Sequence, residues 1–180
     1  MSKYRKPLIA ELTRQWSQRF PLWRPGICAP VRWAQPRLTF TNDAAAAETG
    51  LGLHAVIDLT PKSPGTFTCD VVVTPQLDPF VGNPPHRWPD DIAALPIGTY
   101  RIGWFVSGVD IWWRLIDESA AFRRLYEHVS GADVAALSVT QRQPNDWYAS
   151  SYDVPLSDVI REAVAHFSDT FEQHVVPKLR

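Results

Sequence analysis

"LGLHAVIDLTPKSPGTFTCDVVVT", residues 51–74, consists of two runs of alternating side chains joined by a short proline- and glycine-containing segment. In the first run Leu53, Ala55, Ile57 and Leu59 fall on one side, and His54, Val56 and Asp58 on the other. In the second, Phe67, Cys69, Val71 and Val73 oppose Thr66, Thr68, Asp70 and Val72. A period of two is that of a strand with one face in the core. "TPKSPG" supplies turn chemistry between the runs. The stretch therefore predicts an antiparallel hairpin with the first set of residues inward.

Outward from this hairpin the period changes at both ends of the chain. Pro7 suits the first turn of a helix, and Leu8, Ile9, Leu12, Trp16 and Phe20 form one helical stripe, so residues 7–20 are expected to be helical until Pro21. Near the other end, Ser157 or Asp158 can cap a helix carrying Val159, Ile160, Ala163, Val164, Phe167, Phe171 and Val175 on one side, closed by Pro177. Ala121, Phe122, Leu125, Tyr126 and Val129 predict a further helix from about Ser119 to Gly131. "RLTFT" (37–41) reads as another strand, and "DAAAAETG" as a connector or a single helical turn. Four prolines in 21–36 argue for an irregular connection there. Six prolines in 75–98 mark a long insertion, expected to be an ordered loop. Residues 132–155 fit a helix or an edge strand equally.

A second hairpin is expected in "RIGWFVSGVDIWWR", residues 101–114, turning at Ser107-Gly108. Its inward face would collect Ile102, Trp104, Val106, Val109, Ile111 and Trp113. The outward face would collect Arg101, Gly103, Phe105, Asp110, Trp112 and Arg114, with Trp112 covering Gly103. Arg101 directly opposite Arg114 would be unfavourable without acids nearby, and Asp58, Asp70 and Asp110 are the candidates. Trp and Arg are common interface anchors. Arg101, Phe105, Trp112 and Arg114, with Arg87 and Trp88 from the insertion, are accordingly the candidate partner-binding residues. The alternative is that the insertion itself, through Phe80 and Trp88, folds over this face.

The totals fit this outline. A chain of 180 residues, 45% hydrophobic and 21% charged, has the balance of one globular domain spanning 1–180. No run is apolar enough to cross a membrane, the first residues do not read as a secretory signal, and two cysteines without CxxC spacing suit a cytoplasmic protein. Charge is uneven. Residues 1–37 hold eight basic side chains against one acid, a net +7; the rest holds ten against eighteen, a net −8. The basic third either docks on the acidic remainder or faces nucleic acid.

Reaction signatures are absent: there is no GxSxG, HExxH, GxxxxGK[ST] or PCxxC motif. His166 and His174 share a helix but lie about 12 Å apart along it, too far for one metal. His54 and Asp58 are about 13 Å apart along their strand, which leaves Asp70 on the next strand as a possible partner for His54. Asp58, Asp70 and Asp110 could hold a divalent cation, but ion pairs with the two arginines are favoured because both arginines are expected on that face. No catalytic residue, cofactor or metal ligand is assigned.

The architecture expected is α+β: an antiparallel sheet of four to five strands, one face covered by N-terminal and C-terminal helices. The sheet would occupy 37–115, with the insertion at 75–98, and 119–180 would be the helical C-terminal part. This order, with "GTYRIGWFVSGVDIWWRL" and the ending "HFSDTFEQHVVPKL", resembles small bacterial immunity proteins that neutralise polymorphic or contact-dependent toxins. The resemblance implies a non-catalytic protein-binding module whose partner is a toxin domain. The rival readings are a nucleic-acid binder using the basic third, and a small-ligand protein or enzyme with a pocket between the polar sheet face and residues 75–98.

Overall fold

The computed structural model describes residues 4–29, 36–59, 65–75, 79, 97–115, 145–149 and 154–179. Leu8, Leu12 and Trp16 recur every four residues and form the buried stripe of helix α1 (Arg5–Arg19). The helix stops where Phe20 leaves helical geometry, its N–H still donating to the Trp16 carbonyl at 2.7 Å. Pro21 then has no N–H with which to continue the ladder.

The alternating runs at the centre pair as expected. Strands β3 (Gly52–Leu59) and β4 (Thr66–Thr74) are antiparallel from Gly52↔Thr74 to Leu59↔Phe67. Strand β2 (Arg37–Asn42) flanks β3, and β1 (Trp23–Cys28) flanks β2 over its whole length. β1 corrects the irregular connection expected at 21–36. Proline lacks one donor, but that loss is tolerated in an edge strand, and pairing runs through Pro25 without a break. Between β2 and β3, "DAAAAET" forms helix α2 (Asp43–Thr49), longer than a single turn, with Asn42 Oδ1 accepting the Ala45 N–H at 3.1 Å.

The hairpin expected at 101–114 is replaced by a different solution. Strands β5 (Gly98–Arg101) and β6 (Trp113–Arg114) both pair antiparallel with the same edge of β4, through Asp70↔Arg101 and Thr66↔Arg114. Three steps along β4, Asp70 to Phe67, are matched by twelve along the partner, Arg101 to Trp113, so the eleven residues 102–112 leave the strand line. They form the short helix α3 (Ile102–Val106) and a turn at Gly108, whose φ is +73°. "IGWFV" is apolar throughout and fits either period. Helical spacing wins because Ile102 and Phe105, three apart, both reach the core. Phe105 is thus buried and Val109 is 44% exposed, the reverse of the hairpin assignment, while Trp104 and Val106 are half-buried. The chain returning at 109–111 lies on Gly103, where an added Cβ would stand 2.0 Å from the Val109 carbonyl oxygen. That backbone, not Trp112, covers Gly103.

Strand β7 (Trp147–Tyr148) joins β6 in parallel, giving, among the described residues, a mostly antiparallel sheet of seven strands rather than four to five. Helix α4 (Leu156–Thr170) begins just before the expected cap and continues as a π turn, Phe171–Val175, and a 3-10 turn, Val176–Lys178. Its apolar side, Val159 to Val175, is buried as the periodicity required. Together α1 and α4 cover the face carrying Leu38, Phe40, Ala55, Ile57, Phe67, Cys69 and Val71. Trp16 is the hub, with its ring stacked on Phe167 at 5.3 Å and in contact with Phe20, Trp23, Phe40 and Phe171. Its indole N–H donates to Ser168 Oγ at 3.1 Å.

The helix expected near 119–131, residues 132–144 and 150–153 of the ambiguous segment 132–155, and most of the insertion lie outside the described residues; within that segment Trp147–Tyr148 is an edge strand. Among the described residues no helix is long and apolar enough to cross a membrane. Cys28 and Cys69 are both free thiols; burial pushes the Cys69 thiol well above its usual range.

Candidate functional site

The second face of the sheet follows from the pleat. Thr39, Thr41, His54, Val56, Thr68, Asp70, Val72 and Thr99 alternate with the core residues, and all of them are buried within the chain. This face is polar but shielded, which demands internal partners. His54 shares a 3.0 Å hydrogen bond through Nδ1 with Thr41 Oγ1. Asp70 sits across from Val56 while His54 sits across from Val72, so the two are diagonal neighbours. Thr68 Oγ1 donates to the Ile111 carbonyl at 2.7 Å and fixes the returning chain on β4.

At the end of this face Arg101 collects the three acids named from the sequence. Its Nε lies 3.2 Å from Asp70 and 3.5 Å from Asp110, and its Nη1 3.7 Å from Asp58. Asp58 also meets Arg37 at 3.8 Å. Arg101 and Arg114 do stand on one face, opposite Asp70 and Thr66, but they are not cross-strand partners. Arg114 has an acid of its own: its Nε donates to Asp146 Oδ2 at 2.6 Å, and Asp146 is only 2% exposed. Asp146 was not legible in the sequence. It lies more than thirty residues from Arg114, within a segment that carries no clear period.

Trp112 stands between these two ion-pair systems. Its backbone N–H donates to Asp146 Oδ1 at 3.0 Å and its indole N–H to Asp110 Oδ2 at 3.1 Å. The Arg101 guanidinium lies over its ring, 5.4 Å from the centroid. Trp112 nevertheless remains half-buried, and the neighbouring Ser107, Gly108, Val109 and Asp110 are exposed. Of the candidate contact residues, then, Arg101, Trp112 and Arg114 are brought together. Phe105 is withdrawn into the core, its ring 6.2 Å from that of Tyr100. Arg87 and Trp88 lie outside the described residues.

Part of the charge split is met by contacts. Arg19 pairs with Asp169 at 2.6 Å and with Glu172, Arg24 with Asp43 at 2.8 Å, and Arg37 with Asp58. Each of these basic residues of the first third meets an acid of the remainder. Among the described residues no group of three or more His, Cys, Asp or Glu side chains is placed to hold a metal ion. No family model matches this chain, and searches of curated proteins and of solved structures find no match either.

Proposed function

We propose that this chain is a non-catalytic protein-binding module that presents Trp112 as a preformed anchor, with the exposed tip 107–110 beside it. One observation carries the reading. Trp112 is fixed at its backbone, its indole nitrogen and one ring face, yet keeps part of its surface in solvent. An aromatic side chain already ordered in the free protein loses little freedom on binding, and large rigid Trp residues flanked by Arg are frequent hot spots. Val109, exposed and apolar, extends the contact area. Asp58, Asp70 and Asp110, the carboxylates a hydrolytic reading would need, are engaged with Arg101.

The partner class we propose is a toxin domain, which makes the chain an immunity protein; the resemblance of the sequence to such proteins, given above, supports this choice. The test uses wild type, Trp112→Ala and Val109→Glu as baits in lysate of the native host. One protein retained stoichiometrically by wild type, lost by both folded variants and inhibited by the purified chain is the expected result. Trp112→Ala should weaken that binding by at least about 2 kcal/mol. Retention of the same material by all three baits, or of nucleic acid alone, would overturn the reading.

A further inference from the structure

Trp113, next to the proposed anchor, points the opposite way and is fully buried between Phe67 and Phe167, at centroid distances of 5.6 and 5.0 Å. Its indole N–H donates to Nδ1 of His166 on α4 at 3.1 Å. An indole nitrogen can only donate, so Nδ1 must carry no proton in this arrangement, and the ring proton belongs on Nε2. The imidazole also lies 6.2 Å from the Trp147 ring of β7. His166 is itself exposed, so protons from solvent reach it.

β6 and β7 are the same two strands that hold Trp112. The Trp112 carbonyl accepts the Trp147 N–H at 3.0 Å, and Asp146, one residue before Trp147, accepts the Trp112 N–H. From this geometry we infer that His166 is a proton-sensitive latch: protonating Nδ1 sets two N–H donors against each other, unseats Trp113, and loosens the β6–β7 segment that orders Trp112. Burial lowers the pKa of His166 from the usual 6.5, while Asp169 and Glu162 of its own helix pull the other way. β6 and β7 bring the rings of Trp113 and Trp147 against the imidazole. Their polar residues Arg114 and Tyr148 pair with each other's strand on the opposite face. The latch acts below the ordinary imidazole value. Its role as a regulator of binding rests on the reading of Trp112 as an anchor.

Hydrogen exchange on the intact chain tests it without a partner. Protection of the Trp112, Trp147 and Ala149 amides is compared at about pH 7.5 and at steps down to about pH 4.5, corrected for intrinsic exchange, so that the range passes well below the ordinary imidazole value. Wild type should lose about tenfold protection at these amides in acid, the equivalent of one hydrogen bond lost from a buried donor, while Val56 and Ile57 at the sheet centre hold theirs. His166→Asn, which retains an acceptor but cannot titrate, should stay protected throughout. His166→Phe, with no acceptor, should be poorly protected throughout. An equal response in wild type and His166→Asn, or a parallel loss at Val56 and Ile57, would overturn the latch. These outcomes judge the latch whether or not Trp112 binds a partner, so either reading can fail alone.

Discussion

Trp112 and Trp113 are adjacent in the chain and opposite in fate, and the polar atoms around them decide which. Asp146 ties the Trp112 backbone to Arg114, since it accepts from both, while Asp110 and Arg101 hold the indole. Asp146→Ala leaves Arg114, itself mostly buried, without its carboxylate; breaking such a pair should destabilise the fold by about 2 kcal/mol, less than a fully buried pair would cost. Denaturant unfolding checks this, and an unchanged midpoint would mean that water replaces the carboxylate at little cost. Ser168 plays a similar part for Trp16, accepting its indole N–H and donating to the Val164 carbonyl at 2.7 Å. Ser168→Ala should cost about 1–3 kcal/mol, because it leaves a buried donor unsatisfied. His166 gives the pH dependence. Its folded-state pKa is lowered, so its contribution is complete above pH 6.5 and is lost as the pH falls through the lowered value, where the unfolded chain binds the proton first. The stability difference between wild type and His166→Asn should therefore change only below about pH 6.5, the ordinary imidazole value. A difference that is constant with pH would remove His166 from the account.

At the scale of elements, the excursion between β5 and β6 is the feature on which the site depends. Eleven residues, 102–112, leave the sheet edge and return, and the close contact of the returning backbone with Gly103 closes the loop. A Cβ at that position meets backbone, which no rotamer change can relieve. Gly103→Ala should therefore cost about 3 kcal/mol, the upper end of overpacking effects, and should disorder Trp112. Gly108→Ala meets no neighbouring atom but must hold φ near +73°, so only the backbone penalty of about 1–2 kcal/mol is expected. Near-UV circular dichroism with denaturant unfolding separates the two; equal effects would show that space around Gly103 is easily made. The excursion also explains why alternation misled at this point. In 51–74 polar residues at 54, 58, 66, 68 and 70 mark one face, and only Val56 and Val72 interrupt it, which leaves a single solution. In 102–106 every residue is apolar or glycine, and local sequence cannot choose between a strand and a helical turn.

For the whole molecule, the two ends of the chain meet through α1 and α4, and magnitudes show what joins them. Arg19 reaches Asp169 and Glu172 across this contact, but all three are substantially exposed, and such pairs are worth about 0–1 kcal/mol. Trp16 is fully buried among five aromatic rings, and Trp16→Ala should cost about 3–5 kcal/mol. Arg19→Ala should shift the unfolding midpoint little by comparison; the reverse ranking would mean that charge rather than packing docks the termini. The sequence by itself determined the elements whose side chains repeat with one period: α1 through Leu8, Leu12 and Trp16, the β3–β4 pair, and α4 through Val159 to Val175. It also determined the acids that would serve Arg101, because alternation assigns Asp58 and Asp70 to a face without reference to any distant residue. Only the tertiary structure decided that β1 would pair through Pro25, that "IGWFV" would coil, and that Asp146 would arrive beside Arg114 and Trp112. Those outcomes depend on what lies across the sheet, and a contact between residues far apart in the chain leaves no periodic trace in either one.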